Sequence, residues 1–316
     1  MSAPKTTIDW LRFRTQAEVI PGLEALRTLY GDFGPRVKLR HLGRGKDGFQ
    51  QAAAVVLDDL ALGRVDFGGE HMRGWVRWNI TGLGCQWVQD WDAATELEAL
   101  PSAALRRADV ALTTWRGEVT HDGVKAAHEA GRFTCGGRPP NMRVITNSDP
   151  RAGRTCEVGA RKSDKFFRGY EKGFELAGKM GALADTVTHI DGFAIEDIFR
   201  SEVEFKAETH DEIPWSVIDR RDEYFAGAYP FCADILPGIE PDILQRRPER
   251  LPQLELRARL ANIRAMWGTT LFTALTVAQG DIGVLMSHIV GKEHNQDMLD
   301  AGVLLVDHPW LNEPAA

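Results

Sequence analysis

Three segments of this sequence alternate between apolar and polar residues, and this pattern constrains the fold more than any other feature. They are residues 105–119 (LRRADVALTTWRGEV), 165–173 (KFFRGYEKG) and 196–208 (EDIFRSEVEFKAE). A period of two predicts a β-strand with one apolar and one polar face. Such strands are typical of an antiparallel sheet that packs helices on one face and leaves the other face open.

Helical spacing marks the parts of the chain that would cover the apolar face. It predicts helices over residues 16–30, 121–133 and, most clearly, 253–291. Residues 51–69 and 73–88 have the composition of paired strands with glycine-rich turns. The sequence therefore predicts an α+β protein: an antiparallel sheet with helices packed on one face and an open polar face, followed by a helical C-terminal part.

A proline-rich stretch separates these two parts. Residues 237–253 (PGIEPDILQRRPERLPQ) hold four prolines, which places a boundary near 240–250. We therefore expect residues 1–245 to form the α+β domain and residues 246–316 a helical C-terminal region.

The N-terminal residues TTIDWLRFR (6–14) predict a further strand. Unbroken alternation would place Ile8 and Trp10 on one face and Asp9, Leu11 and Phe13 on the other.

Charge is unevenly distributed along the chain. The net charge of −7 argues against a polybasic nucleic-acid binder. Residues 151–172, however, hold seven Arg or Lys and three acids, and residues 35–46 hold five cations and no acid. Local basic surfaces of this kind are what recognise phosphate.

Several protein classes are excluded by what the sequence lacks. No apolar run approaches the roughly 18 residues of a membrane helix, and the N-terminus has no signal-peptide core, so we expect a cytoplasmic protein with no membrane partner. The four cysteines form no CxxC pair, which predicts buried free thiols rather than a zinc ribbon or a disulfide framework. The glycine-rich segments contain no nucleotide-binding fingerprint, and no two of the nine histidines are two residues apart.

The polar faces of the three alternating segments carry reactive and charged groups. These are Arg107 and Asp109 on the first segment, Arg168, Tyr170 and Lys172 on the second, and Arg200, Glu202, Glu204 and Lys206 on the third. If the strands are neighbours, carboxylates that bind Mg²⁺ or Mn²⁺ would lie beside a phenol and several cations. A nearby cation or metal would lower the pKa of the phenol, which could then attack phosphorus and leave a 5′-phosphotyrosine bond and a free 3′-OH.

Each segment also has a simpler interpretation. An Arg-Glu-Glu-Lys alternation is typical of a solvated face with cross-strand ion pairs. Asp109 alone fits a structural ion pair, and Tyr170 alone fits an ordinary amphipathic strand. The pattern by itself identifies a candidate phosphate-facing surface and leaves catalysis open.

The motifs in combination resemble a known family. The segments RADVAL (107–112), EVGARKSDKFFRGYEKG (157–173) and FRSEVEFKAE (199–208) are similar, in this order, to the hallmark segments of the replication initiation factor family. This family includes rolling-circle initiators of plasmids and filamentous phages. The segment RGWVRWNITGLGC (73–85) is similar to the phage branch in particular.

The resemblance implies a rolling-circle initiator, a metal-dependent nickase and strand transferase that nicks and reseals the replication origin. Tyr170 would be the nucleophile, assisted by Arg168 and Lys172. The implied ligands of Mg²⁺ or Mn²⁺ are Asp109 with Glu202 or Glu204, and the implied DNA-binding residues are Arg161, Lys162, Ser163 and Lys165. Ser163 equally fits a turn cap.

The chain departs from the family pattern at Thr113, where a second acid is common. A threonine does not replace a carboxylate as a metal ligand, so either Glu118 compensates or catalysis is weakened. This departure keeps a second interpretation open: an origin-binding or operator-binding regulator on the same scaffold without nicking activity.

The implied partners are origin DNA, single-stranded or in a hairpin, and a host helicase. Tyr224 and Tyr229 are five residues apart, an unsuitable spacing for a two-tyrosine helix, so a single nucleophile is favoured. Such an enzyme needs a second subunit, for example in a homodimer, or a water attack assisted by Glu171 or Glu204, to complete its cycle.

Overall fold

The computed structural model describes residues 5–135, 138–207, 213–244, 256–295 and 298–299. The chain divides into two compact units, Met1–Leu244 and Gln245–Ala316. Part of the predicted proline-rich boundary, residues 245–250, lies outside the described residues.

Twelve strands and seven helices occupy the described part of the first unit, and two helices occupy that of the second. The N-terminal elements are β1 (Thr7–Thr15), α1 (Val19–Leu29), β2 (Val37–Gly43), β3 (Gln51–Leu57), β4 (Leu60–Phe67), β5 (Val76–Ile80), α2 (Gly82–Gln86) and α3 (Ala94–Glu98). They are followed by β6 (Ala104–Thr114), α4 (His121–Glu129), β7 (Met142–Ile145), β8 (Thr155–Val158), β9 (Lys165–Tyr170), α5 (Lys172–Gly178), β10 (His189–Ile190), β11 (Phe193–Ala194), β12 (Phe199–Lys206), α6 (Arg221–Ala228), α7 (Pro230–Ile235), α8 (Leu256–Val277) and α9 (Ile282–Ile289).

Ten of the strands form one sheet in the order β2-β3-β4-β5-β1-β6-β12-β9-β8-β7, and β10 and β11 form a separate hairpin. Every neighbouring pair in the large sheet is antiparallel. Helices α1, α4 and α6 pack against the apolar face of this sheet, which confirms the predicted α+β fold.

The apolar face of the sheet forms the core with the covering helices. Val110 of β6 and Val203 of β12 are directly opposite one another and fully buried, as the alternation predicted. Leu26 of α1, Val124 of α4 and Phe225 of α6 pack into the same core. Burial of each large side chain of this kind stabilises the fold by roughly 1.5–3 kcal/mol.

Strand β1 does not alternate as predicted. A β-bulge shifts its register against β6 between Ile8 and Trp10, so the extra residue is Asp9. After the bulge Leu11 and Phe13 join Ile8 in the core, and Asp9 joins Trp10 on the polar face. The predicted division of faces was therefore wrong, because a bulge re-aims the side chains that follow it.

The predicted strand over residues 51–69 is a hairpin of two strands, β3 and β4. The chain reverses at Asp58, which has a φ of 51°. The predicted strand over 73–88 ends at Ile80, and α2 follows because the hydroxyl of Thr81 accepts the backbone N–H of Gly84. A hydroxyl at this position caps a helix N-terminus.

The C-terminal prediction of helix over residues 253–291 agrees with α8 and α9, while residues 253–255 lie outside the described range. Within the described residues, no helix has the length and apolarity needed to span a membrane. The four cysteines are free thiols; three are buried as expected, but Cys135 is exposed.

Candidate active site on the polar face of the sheet

The sheet register brings the three predicted polar faces together. Strand β12 lies between β6 and β9. The directly opposed pairs are Glu204–Asp109, Glu202–Arg168 and Arg200–Tyr170. Opposed residues of antiparallel strands point to the same side, so the phenol and all three predicted acids share one face.

Tyr170 is surrounded by cations. Its hydroxyl lies 3.4 Å from Nζ of Lys172, and the guanidinium carbon of Arg168 lies 5.2 Å from its ring centroid. Burial nevertheless raises the pKa of Tyr170, the charge of Glu202 raises it further, and Arg200 only partly counteracts them. The surrounding cations alone therefore do not bring the pKa of this phenol below its ordinary value.

Arg200 is the cation that β12 places directly opposite Tyr170. Its Nε donates a hydrogen bond to Oγ1 of Thr113 (3.1 Å), and its Nη1 binds Oδ1 of Asp9 (2.9 Å). Two partners on different strands thus fix the guanidinium, and the residue as a whole is only 9% exposed. The alternation predicted Arg200 on the polar face, but nothing in the sequence indicated its bond to Thr113.

Lys172 reaches Tyr170 from a helix and not from the predicted strand. Strand β9 ends at Tyr170, and Lys172 begins α5. Gly173 allows this turn, because a Cβ there would lie 2.0 Å from the backbone oxygen of Ile195. Lys172 also binds Glu175 (2.9 Å), and burial lowers the pKa of Lys172.

The three predicted metal ligands are each bonded to cationic side chains. Arg107 binds both carboxylate oxygens of Asp109, at 2.7 and 2.6 Å. Glu204 binds Lys206 at 2.8 Å and Arg107 at 3.3 Å. A third pair, Glu202–Arg168, has a separation of 2.7 Å.

Asp109 is the most perturbed of these acids. It is 2% exposed, and burial raises its pKa to about 7. The bonds from Arg107 oppose the shift, while the nearby charges of Glu202 and Glu204 add to it. Crowded carboxylates of this kind favour a bound cation, which here is Arg107.

The donor chemistry suits Mg²⁺ or Mn²⁺, but the arrangement does not. In the described part of the chain, no three His, Cys, Asp or Glu side chains come close enough together to hold a metal ion. Arg107 binds both Asp109 and Glu204 and so already neutralises these two carboxylates. Glu118 does not join them, because its carboxylate accepts the backbone N–H of Arg116 in an exposed turn.

A cleft of about 400 Å³ lies beside Tyr170, towards β8. Arg154, Arg161 and Arg168 line it together with Tyr170 and Glu171. The cleft is wide enough to admit part of a nucleotide, and its cations suit a phosphate.

The predicted DNA-binding residues divide between the two faces. Arg161 lines the cleft, and Lys162 and Ser163 are exposed in the turn before β9, where the N–H of Ser163 binds the carbonyl of Ala160. Lys165 lies on the opposite face, and its ammonium donates to the carbonyl of Ala228. The structure therefore does not bring Lys165 to the site.

The other three tyrosines are all buried. Tyr30, Tyr224 and Tyr229 belong to the hydrophobic core, with exposures of 0%, 7% and 5%. Among the four tyrosines, Tyr170 is the one on the polar face.

Comparison with known proteins agrees with the motifs on this face. Residues 103–245, which contain β6, β9 and β12, match the family model described as replication initiation factor. The family prediction is confirmed over this segment. No curated protein matches the chain.

One solved structure is similar to most of the chain. It is the rolling circle replication initiator protein from Geobacillus stearothermophilus, with 18% sequence identity and a TM-score of 0.53. The match covers 76% of this chain and 99% of that one. At this identity the likeness concerns the fold alone.

Proposed function

We propose that this protein initiates rolling-circle DNA replication by nicking one strand at the origin with Tyr170. One observation carries the proposal: among the four tyrosines, Tyr170 alone stands on the polar face, with Lys172, Arg168 and Arg200 around it. The family match over residues 103–245 and the initiator fold support the same function.

The reaction is a transfer of the phosphoryl group to tyrosine. The Tyr170 hydroxyl oxygen forms a bond to phosphorus, the bond between phosphorus and the 3′ oxygen breaks, and the leaving oxygen takes up a proton. The phenolic proton departs, so the product is a 5′-phosphotyrosine and a 3′-OH. The reverse reaction reseals the strand.

The neighbouring cations would offset the cost of ionising Tyr170, whose pKa is raised. Lys172 is within reach of the hydroxyl oxygen and would stabilise the phenolate, while Glu175 holds its ammonium in place. Arg200 and Arg168 would stabilise the negative charge that develops on the phosphate, with Arg161 across the cleft. Arg200 is already fixed by two hydrogen bonds, so it needs no reorganisation.

A metal remains a separate proposal. Asp109, Glu202 and Glu204 are the residues that would hold Mg²⁺ or Mn²⁺, and they could do so only if Arg107 turned away. Such an ion would supply positive charge near the phosphate. A thermal-shift titration checks this without activity: Mn²⁺ should raise the Tm of the wild type but not of Asp109→Asn. An unchanged wild-type Tm at millimolar Mn²⁺ would argue for catalysis by the cations alone.

The remaining partners are also proposals. A host helicase would separate the strands, because the sequence has no nucleotide-binding fingerprint. The cycle would end through a second copy of the chain or through water activated by an acid. Glu171 in the cleft is held by Arg154 at 2.8 Å, and Glu204 by Lys206.

Relaxation of a supercoiled plasmid carrying the cognate origin tests the proposal. Tyr170→Phe should abolish relaxation and leave origin affinity within a few-fold, since it removes one hydroxyl. Tyr224→Phe is the matched control and should retain activity. A wild type that binds the origin tightly but never relaxes it would instead favour a DNA-binding regulator.

A further inference from the structure

The polar face continues beyond the candidate active site onto β1 and β5, where like charges are paired. The register places Arg12 of β1 directly opposite Arg107 of β6, and Arg14 of β1 directly opposite Arg77 of β5. Like charges at opposed positions destabilise a sheet. Natural sequences break such local rules mainly at functional sites.

In each pair, the arginine on the strand next to β1 is neutralised by acids. Arg107 binds Asp109 and Glu204. Arg77 binds the buried Asp66 (3.0 Å), which β4 supplies. These two arginines therefore carry little uncompensated charge.

The two arginines of β1 are different. In the part of the chain that the structure describes, neither Arg12 nor Arg14 forms a salt bridge, and Arg12 donates only to the side-chain oxygen of Asn79. Burial lowers the pKa of Arg12, the charges of Arg107 and Arg77 lower it further, and the nearby acids Asp109 and Glu204 only partly oppose the shift. Among the described residues, strand β1 thus holds two cations with no acid bonded to either of them.

Two tryptophans complete this surface. The guanidinium of Arg14 lies over the ring of Trp75 at 4.2 Å, and that of Arg107 lies over Trp10 at 5.0 Å. Nε of Arg14 and Nε1 of Trp10 are buried and have no hydrogen-bond partner among the described residues. A buried donor without an acceptor is unfavourable, so these donors favour an incoming oxygen.

We propose that Trp10, Arg12, Arg14 and Trp75, here called the arginine–tryptophan platform, bind the phosphates and bases of single-stranded DNA. Guanidinium groups fit phosphate oxygens in a fork, and indole rings stack on unpaired bases. A duplex would satisfy the charges but would offer no free base faces to the rings. The proposal rests on the proposed function, because it takes the bound strand to be the one that continues to Tyr170.

The distance to Tyr170 suits one continuous strand of DNA. Strand β1 is three positions from β9 in the sheet, and Arg12 lies six residues along β6 from the level of Tyr170. Strand spacing and rise then separate the platform from the phenol by roughly 25 Å. Single-stranded sites on comparable β-surfaces span about 4–16 nucleotides, which covers this distance.

Fluorescence anisotropy with the full chain tests the platform. The probe is a labelled single-stranded oligothymidine of roughly 30 nucleotides, titrated at several salt concentrations. The double variant Arg12→Gln/Arg14→Gln should bind roughly tenfold more weakly at low salt and lose about 0.7 from the salt slope for each phosphate contact removed. Arg132→Gln, which breaks an exposed pair with Asp234 beside the helices, is the matched control and should bind like the wild type.

Further variants separate the possible results. Arg12→Lys/Arg14→Lys keeps both charges, so it should retain the salt slope and fold normally even if the glutamine pair loses stability. Wild-type affinity of the glutamine variant, or a loss seen only with a duplex probe, would overturn the platform. Tyr170→Phe should bind the probe with wild-type affinity, because binding does not need the phenol. Binding and nicking are therefore tested separately. A wild type that does not nick would not affect the binding result, and a glutamine variant that binds normally would not affect the proposed covalent step.

Discussion

The two halves of the ten-stranded sheet use the same polar face differently. In the half that we propose to be catalytic, here called the catalytic half and formed by β6, β12, β9, β8 and β7, buried acids and cations neutralise one another around a half-buried phenol. In the N-terminal half, Arg12 and Arg14 of β1 have no acid bonded to them among the described residues. Balanced charge holds reacting groups in fixed positions, whereas unbalanced charge attracts a polyanion.

The family match covers only the catalytic half, residues 103–245. The similar solved structure covers 76% of the chain, which is more than this segment alone. The comparison suggests a division of work in which one half performs the chemistry and the other holds the strand. This division can be tested by variants that affect one half alone.

Among the variants that separate the two halves, the largest effect is expected from Arg200. Arg200→Met removes the cation opposite Tyr170 and should slow cleavage by roughly 10²–10³-fold, with DNA affinity within a few-fold. Single-turnover cleavage at saturating DNA measures the rate. The platform variant Arg12→Gln/Arg14→Gln should show the opposite pattern. It should bind DNA more weakly and cleave at the normal rate once DNA is saturating.

The exposed Arg220, paired with Asp242, gives a control substitution to methionine that should change neither quantity. A normal cleavage rate for Arg200→Met would remove the distinction between the two halves.

A smaller effect concerns the folding of the N-terminal half. Asp66, with its side chain 1% exposed, is bonded to Arg64, Arg77 and the N–H of Lys46. Asp66→Asn leaves Arg64 without its acid and Arg77 with only the exposed Asp47, and it should cost about 3 kcal/mol of unfolding free energy.

Denaturant unfolding measures that loss. Asp58→Asn, in an exposed pair with Arg36, should cost under about 1 kcal/mol. Equal losses of unfolding free energy in Asp66→Asn and Asp58→Asn would show that the buried acid stabilises this half no more than an exposed one.

The smallest effect is a pH dependence in the catalytic half. Burial would raise the pKa of Glu175, but Lys179 and Lys172 outweigh it and lower the pKa to about 2. A lowered carboxyl pKa contributes stability above the unfolded value of about 4.3, and the contribution is lost as the pH falls to about 2.

Because Glu175 is partly exposed, solvent reduces this contribution to roughly 1 kcal/mol. Glu175→Gln should therefore lose less stability than the wild type between these pH values, as measured by urea unfolding. If the unfolding free energies of the wild type and of Glu175→Gln changed equally with pH, Lys172 and Lys179 would not stabilise the charged carboxylate of Glu175.

Alternation alone predicted the polar faces of β6 and β12, because a period of two is a local property. It could not give the order of the strands in the sheet. The position of Arg200 opposite Tyr170 is therefore known only from the pairing of β12 with β9 in the structure. The bulge at Asp9 has no sequence signal of its own, since it arises from pairing with β6. The position of Lys165, in contrast, could have been predicted: it is five residues from Tyr170, an odd offset that places the two on opposite faces of a strand.

Identification of the covalent peptide tests the central claim most directly. The wild type would be incubated with a single-stranded oligonucleotide containing the cognate nick site, digested, and analysed by mass spectrometry. We predict a nucleotide adduct on the peptide that contains Tyr170 and on no other tyrosine. DNA cleavage with an adduct on Tyr30, Tyr224 or Tyr229, or cleavage without any protein adduct, would contradict the account.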